Sequence, residues 1–202
     1  MISQETVSFT KRIKMKTFKV FMSLMLLASI ISVQAQVRTI EGIDFPTEIM
    51  IKDQKTVLNG GGLREKLGFL DLYVGALYVP IKTKDAKKVI LADQVMGIRI
   101  VIASTLVTRD RFIEALEEGF KNSSAGTYAL NDIELFKQYL NDPFNKGDEI
   151  LLTYHPRDAI YLYKNGIERG SFPGLAFKQA LFAIWLGDRP AQESLKEEML
   201  GL

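Results

Sequence analysis

The sequence predicts an α+β fold in which an antiparallel sheet is covered on one face by helices. Three observations carry this. Strand-like and helix-like segments come in separate runs, in the order strands, helices, strands, helices, and not as alternating βαβ units. Asn165-Gly166 sits between two apolar segments, and both residues tolerate positive φ, which is the signature of a tight hairpin. The segment "PGLAFKQALFAIWLG", from Pro173 to Gly187, is apolar nearly all round, so it reads as a deeply buried helix.

The first 35 residues read as a secretory leader and not as part of the fold. Lys11, Arg12, Lys14, Lys16 and Lys19 precede an apolar stretch from Val20 to Val33. Val33-Gln34-Ala35 is a small-x-small pattern that places cleavage after Ala35. Met15 offers a second start with an n-region of more usual length. The expected product is one domain, residues 36–202, exported to the periplasm or secreted. The full chain carries a formal charge of +2, but five of its 26 basic residues and one of its 24 acidic residues lie in the leader. The remainder has 21 basic and 23 acidic residues, a net −2. No basic patch points to nucleic acid. The chain has no cysteine, which excludes disulfides, thiolate metal sites and a cysteine nucleophile. No second run of spanning length follows the leader, so no membrane span is expected in the mature chain.

"VRTIEGIDFPTEIMIKDQKTVL" reads as two short strands around a Phe45-Pro46 bend. Gly60, Gly61 and Gly62 read as a tight turn leading to Arg64, since a glycine triplet without a following G-K-[ST] is not a phosphate loop. "LGFLDLYVGALYVP" is a long strand with Leu67, Phe69, Leu72, Val74, Leu77 and Val79 as burial candidates. Its alternation is imperfect, which fits partial cover on both faces or a bulge near Gly75. "AKKVILAD" is of uncertain type, and "KDAKK" reads as a solvated loop. "MGIRIVIAST" is a second apolar strand. "TRDRFIEALEEGFKNSS" is a helix capped by Thr108, with Phe112, Leu116, Gly119 and Phe120 on one face. "NDIELFKQYLND" is a helix capped by Asn131 or Asp132. "DEILLTY", "AIYLY" and "IERGSF" form a meander. Pro173 is expected to open the buried helix, and Asp188 to cap a last amphipathic one with Pro190 in its first turn.

"IEGIDFP", "LNGGGLR" and "YVGALYV", in that order, resemble the opening of the chalcone isomerase superfamily. "KGDEILLTYHPRDAIYLYKNGIERGSF" is similar to that family's hairpin, and "AFKQALFAIWLGDRPAQESLKEEML" to its closing helices. The resemblance spans nearly all of residues 36–202 and looks like the bacterial, exported branch. It implies an open-faced β-sandwich: a long antiparallel sheet backed by helices, with a cleft between them. In plant enzymes of the family the cleft closes chalcones to flavanones, and in non-catalytic members it holds fatty acids. Both ligands present a polar or anionic head to an arginine of the glycine segment, which here is Arg64.

The family's other functional positions fall on unlike residues. Its threonine falls on Leu72, its tyrosine and asparagine on Phe112 and Gly119, and its last threonine or serine near Lys178. Phenylalanine and leucine donate no hydrogen bond, and stabilising a developing enolate needs donors aimed at its oxygen. The resemblance carries Arg64, Leu72, Phe112 and Lys178 into the ligand-contacting set, and Tyr73, a strand phenol beside Leu72, joins them, with no cofactor, no metal and no assigned catalytic group expected.

Other residues of chemical interest read as structural. His155, the only histidine, reads as a surface turn residue before Pro156. Asp71 would be costly if buried alone, so it pairs with an arginine or faces solvent. Tyr73, Tyr78, Tyr161 and Tyr163 fit packing or a phenol in the cleft, and Trp185 reads as core. The first expectation is a non-catalytic binder of a fatty-acid-like or other small amphipathic anion. The alternatives are an isomerase or intramolecular lyase acting on another enone, and a structural or partner-binding protein with a closed cleft.

Overall fold

The computed structural model describes residues 36–66 and 70–202, without the side chains of residues 66, 70 and 71. The expected leader, Leu67, Phe69 and the Asp71 side chain lie outside the described residues. The chain forms β1 (Val37–Ile40), β2 (Ile43–Pro46), β3 (Glu48–Ile51), β4 (Gln54–Lys66) and β5 (Leu70–Val79). Then follow α1 (Ala86–Leu91), β6 (Met96–Ile102), α2 (Arg109–Asn122) and α3 (Leu130–Tyr139). It ends with β7 (Glu149–Tyr154), β8 (Ala159–Lys164), β9 (Ile167–Pro173), α4 (Leu175–Leu186) and α5 (Glu193–Leu200).

Strands β3 to β9 pair in sequence order as one seven-stranded antiparallel sheet, and β1 and β2 form a separate hairpin. The helices pack on one sheet face. Leu77, Ile98, Ile100, Leu152, Leu162 and Phe172 meet Phe120, Phe136, Leu181 and Phe182 there, all buried. Phe172 packs against Phe136 and Phe177, with centroids 4.5 and 4.7 Å away, and those two rings lie 6.3 Å from each other. On the other face the β1–β2 hairpin covers a smaller core of Ile40, Phe45, Leu58, Val74, Ala76, Tyr78 and Val101. The imperfect alternation of β5 now has its cause. Tyr73, Leu77 and Val79 face the helices while Val74, Ala76 and Tyr78 face the hairpin, so both faces are buried. No helix among the described residues is long and apolar enough to cross a membrane.

Several local expectations change. The segment before Gly60 makes four strands, not two, because Glu41 and Gly42 turn the chain at positive φ and Lys52 turns it again. The glycine triplet is not a turn. Gly60, Gly61 and Gly62 lie inside β4, and Gly61 pairs with Ala76 and Gly62 with Gly75. Glycine is required there by a crossing helix. A Cβ on Gly60 would run into the Glu198 carbonyl and one on Gly62 into the Glu198 side chain, so α5 rests directly on the bare strand. One irregularity lies on β4, where Asn59 is the extra residue between Leu58 and Gly60, and one on β5, where Leu72 is extra opposite Arg64 and Glu65, while Gly75 pairs regularly.

"AKKVIL" is helical, with Asp85 accepting the Lys88 N–H at 3.1 Å as its cap. Thr108 caps α2 as expected. Helix α3 starts one residue before its predicted caps, and the Asp132 carboxylate reaches back to the Ala129 N–H at 2.7 Å. Pro173 ends β9 and does not open α4, because Gly174 at φ 91° breaks the chain between them. Asp188 does not cap α5, which begins only at Glu193; its N-cap residue is Gln192, whose side chain is bonded to β4 and makes no capping hydrogen bond. Asn165 and Gly166 take positive φ, 52° and 76°, and make the predicted hairpin. His155 is buried and not a surface residue. Its ring packs on Tyr161 at 4.5 Å, and Nε2 lies 3.3 Å from the Thr153 hydroxyl.

Candidate functional site

A cavity of about 130 Å³ opens where the end of β4 and the start of β5 meet α2, α4 and the segment before α5. Its walls include Leu72, Tyr73, Phe112, Ile184 and Trp185, and its polar groups are Arg64, Glu118, Asn122 and Arg189. Four of the five residues expected at the site, Arg64, Leu72, Tyr73 and Phe112, thus lie around one space. Lys178 does not.

Arg64 sits opposite a bulge on β5: it pairs with Tyr73 and Glu65 pairs with Asp71, so Leu72 is the extra residue. A bulge turns a strand and re-aims the side chain beside it. The guanidinium is then held by neutral groups. Its Nη1 donates to the Glu65 carbonyl at 2.6 Å and to Gln192 Oε1 at 3.1 Å. Gln192 behaves as an added rung on the strand. Its Oε1 also accepts the Glu65 N–H at 2.9 Å, and its Nε2 donates to the Leu63 carbonyl at 3.3 Å. Two of the five guanidinium N–H groups are used this way, which leaves the Nε and Nη2 edge that suits a carboxylate.

Tyr73 pairs with Arg64 across the β4–β5 ladder, so both side chains leave the sheet together. Trp185 Nε1 donates to the Tyr73 hydroxyl at 2.9 Å, in a buried contact. The hydroxyl therefore accepts from within the core and keeps its own proton for another acceptor. Burial pushes the Tyr73 phenol above its ordinary pKa, against the pull of Trp185 and Arg64, so it is protonated at neutral pH. Phe112 lies edge-on to Tyr73 at 6.3 Å, and Phe144 backs it at 5.1 Å. Chemically the arrangement offers a fixed cation and a protonated phenol beside an apolar wall. Among the described residues the only carboxylate lining the cavity is Glu118, which is exposed.

Lys178 is 0% exposed and points the other way, to the end of α1. Its ammonium donates to the carbonyls of Val89, Ile90 and Ala92 at 2.5, 2.9 and 2.9 Å. Burial pulls its pKa down to about 7, and Asp93 opposes that pull. Three N–H donors meet three carbonyls, two of them from the last turn of a helix, so Lys178 is a cap and not a ligand contact.

Sequence reasoning overlooked Gln192 and Arg189, and it took Trp185 as core without its hydrogen bond. A glutamine outside a motif carries no signal, and its part becomes visible only when the start of α5 lies against β4.

A comparison with curated proteins gives no match. Among solved structures, a fatty-acid binding protein of Arabidopsis thaliana superposes with a TM-score of 0.63 at 21% identity. The likeness covers 82% of this chain and 96% of the plant protein, and at that identity it shows the fold alone. The sequence model described as chalcone isomerase-like matches residues 37–201, which takes in both cores, the glycine strand and the cavity. On that match the chain belongs to the chalcone isomerase-like family.

Proposed function

We propose that the protein is a non-catalytic binder of a fatty-acid-like or other small amphipathic anion, exported behind the leader of residues 1–35. The observation that carries this is Arg64. It is a cation fixed at an apolar cavity by neutral partners, a carbonyl and an amide, so its charge stays available to a carboxylate. The printed description of the plant structure as fatty-acid binding supports the same reading. The head is gripped by Arg64 and by the Tyr73 O–H, and the tail lies on Leu72, Phe112 and Trp185.

A charge-assisted hydrogen bond contributes ~1.5–3 kcal/mol net, and each buried methylene ~0.8 kcal/mol. Arg64→Ala is therefore expected to weaken hexanoate binding by about 10- to 100-fold in an NMR or calorimetric titration of residues 36–202. Equal affinity in parent and variant would remove Arg64 from the site. Gln192→Glu tests the neutrality of the clamp. A carboxylate where Oε1 now sits, 3.1 Å from Nη1, would neutralise the guanidinium from within. Its hexanoate affinity should fall at least about tenfold, while the new ion pair offsets in part the loss of the Nε2 donor to the Leu63 carbonyl, so the thermal midpoint should fall only slightly. Undiminished binding would show that the charge of Arg64 is not what holds the acid.

A second reading rests on the Trp185–Tyr73–Arg64 arrangement, which aims a phenolic O–H and a cation at one space and so suits a polarised carbonyl. It predicts enone cyclisation above the spontaneous rate, lost in Tyr73→Phe.

A further inference from the structure

Ligand pockets for molecules of drug size enclose about 300–1,000 Å³, and an engineered apolar cavity of about 150 Å³ holds a benzene. At about 130 Å³, the Arg64 cavity is of the second kind. Its inner end is also closed. Gly119 of α2 sits so near α4 that an added Cβ would lie 2.5 Å from Ile184 Cγ2, which leaves no passage between the two helices. Leu116, Phe120, Ile184 and Trp185 fill the space around that contact, each at most 4% exposed. To one side Phe112 is wedged between Tyr73 and Phe144. A tail entering from Arg64 meets a wall after a few carbons.

We infer that this site takes a compact carboxylate, of about six to eight carbons or one ring, and not a long-chain acid. The inference rests on the reading of Arg64 as the carboxylate partner. It assigns a different job to the bulky residues at family positions expected to be polar. Phe112 and Leu72 do not abolish the cleft; they shorten it. Gly119 is what allows the shortening, because only a residue without a side chain lets Ile184 come so close.

The test is a chain-length series of straight carboxylates from acetate to dodecanoate, with benzoate alongside, titrated below their micellar concentrations into residues 36–202. Those residues contain both hydrophobic cores described above and so form a complete folding unit. In a site open at depth, affinity climbs about fourfold with each methylene throughout the series. Here the climb should stop between hexanoate and octanoate, and benzoate should bind as well as hexanoate. Ile184→Ala, which removes the stopper, should move the break to longer acids. A steady climb to dodecanoate in the parent would overturn the compact-ligand inference and leave Arg64 binding intact. Failure of every acid to bind, acetate and benzoate included, would overturn the anion-binding reading itself.

Discussion

Gly60→Ala should be among the most damaging single-methyl additions in the protein, at ~3 kcal/mol, the upper end of the range for overpacking. The new Cβ would strike the backbone carbonyl of Glu198, with the Met199 carbonyl 3.1 Å and the Gly201 nitrogen 3.2 Å away. A side chain could swing aside, but a helix backbone cannot. The last turn of α5 would have to lift off β4 and draw Leu195, Met199 and Leu200 out of the main core. It would also strain the 2.8 Å bond from Asn59 Nδ2 to the Met199 carbonyl. For a domain of this length the thermal midpoint should fall by ~6–12 °C. Gly75→Ala is the internal control. Its Cβ would find only Leu195 and Tyr73 side-chain atoms at 3.7 Å, an ordinary contact, so its midpoint should barely move. Equal midpoints for the two variants would mean that α5 does not bear on the glycines.

Lys178→Met should cost a similar ~3 kcal/mol by a different route. Methionine fills much the same volume but leaves the carbonyls of Val89, Ile90 and Ala92 without their donor. Each buried, unsatisfied carbonyl costs about 1–3 kcal/mol, partly offset because the buried ammonium no longer has to be desolvated. The loss should show in urea unfolding as a lower midpoint with an unchanged m-value. Hexanoate affinity should stay as in the parent, because the side chain points away from the cavity. A drop in affinity at unchanged stability would return Lys178 to the ligand set.

The layers of the fold were legible because period and punctuation carry them. The Asn165-Gly166 turn, the cap at Thr108 and the all-apolar α4 are local signals, and local chemistry decides them. What the sequence hid depends on contacts far apart in the chain. A glycine triplet reads as a turn by composition, and only the arrival of α5, about 140 residues later, makes it a strand with no side chains. The contact of the Gln192 amide with β4, just before α5, likewise joins residues far apart in the chain. His155 precedes a proline and so looks like a turn residue, but its ring folds back onto Tyr161. Among the residues that line the cavity, Arg64 and Phe112 could be named in advance from the family pattern, and Tyr73 only as a strand aromatic beside Leu72. Lys178 could not be placed by pattern alone. A lone lysine in an apolar helix is equally consistent with a ligand contact and a cap, and the three carbonyls at the end of α1 decide for the cap.

The seat of α5 on β4 also sets an order of events in folding. The bond from Asn59 to Met199 joins residues 140 positions apart, and the bond from Arg64 to Gln192 joins residues 128 apart. Loops of that length close slowly, so such contacts form late. Strands β3 to β9 are sequential neighbours and can zip as the chain grows, yet the glycine strip stays uncovered and Arg64 stays unclamped until α5 has been synthesised. The Arg64 cavity is therefore expected to be completed late in folding, and a nascent chain still short of its last helix has a sheet but no Gln192 clamp on Arg64.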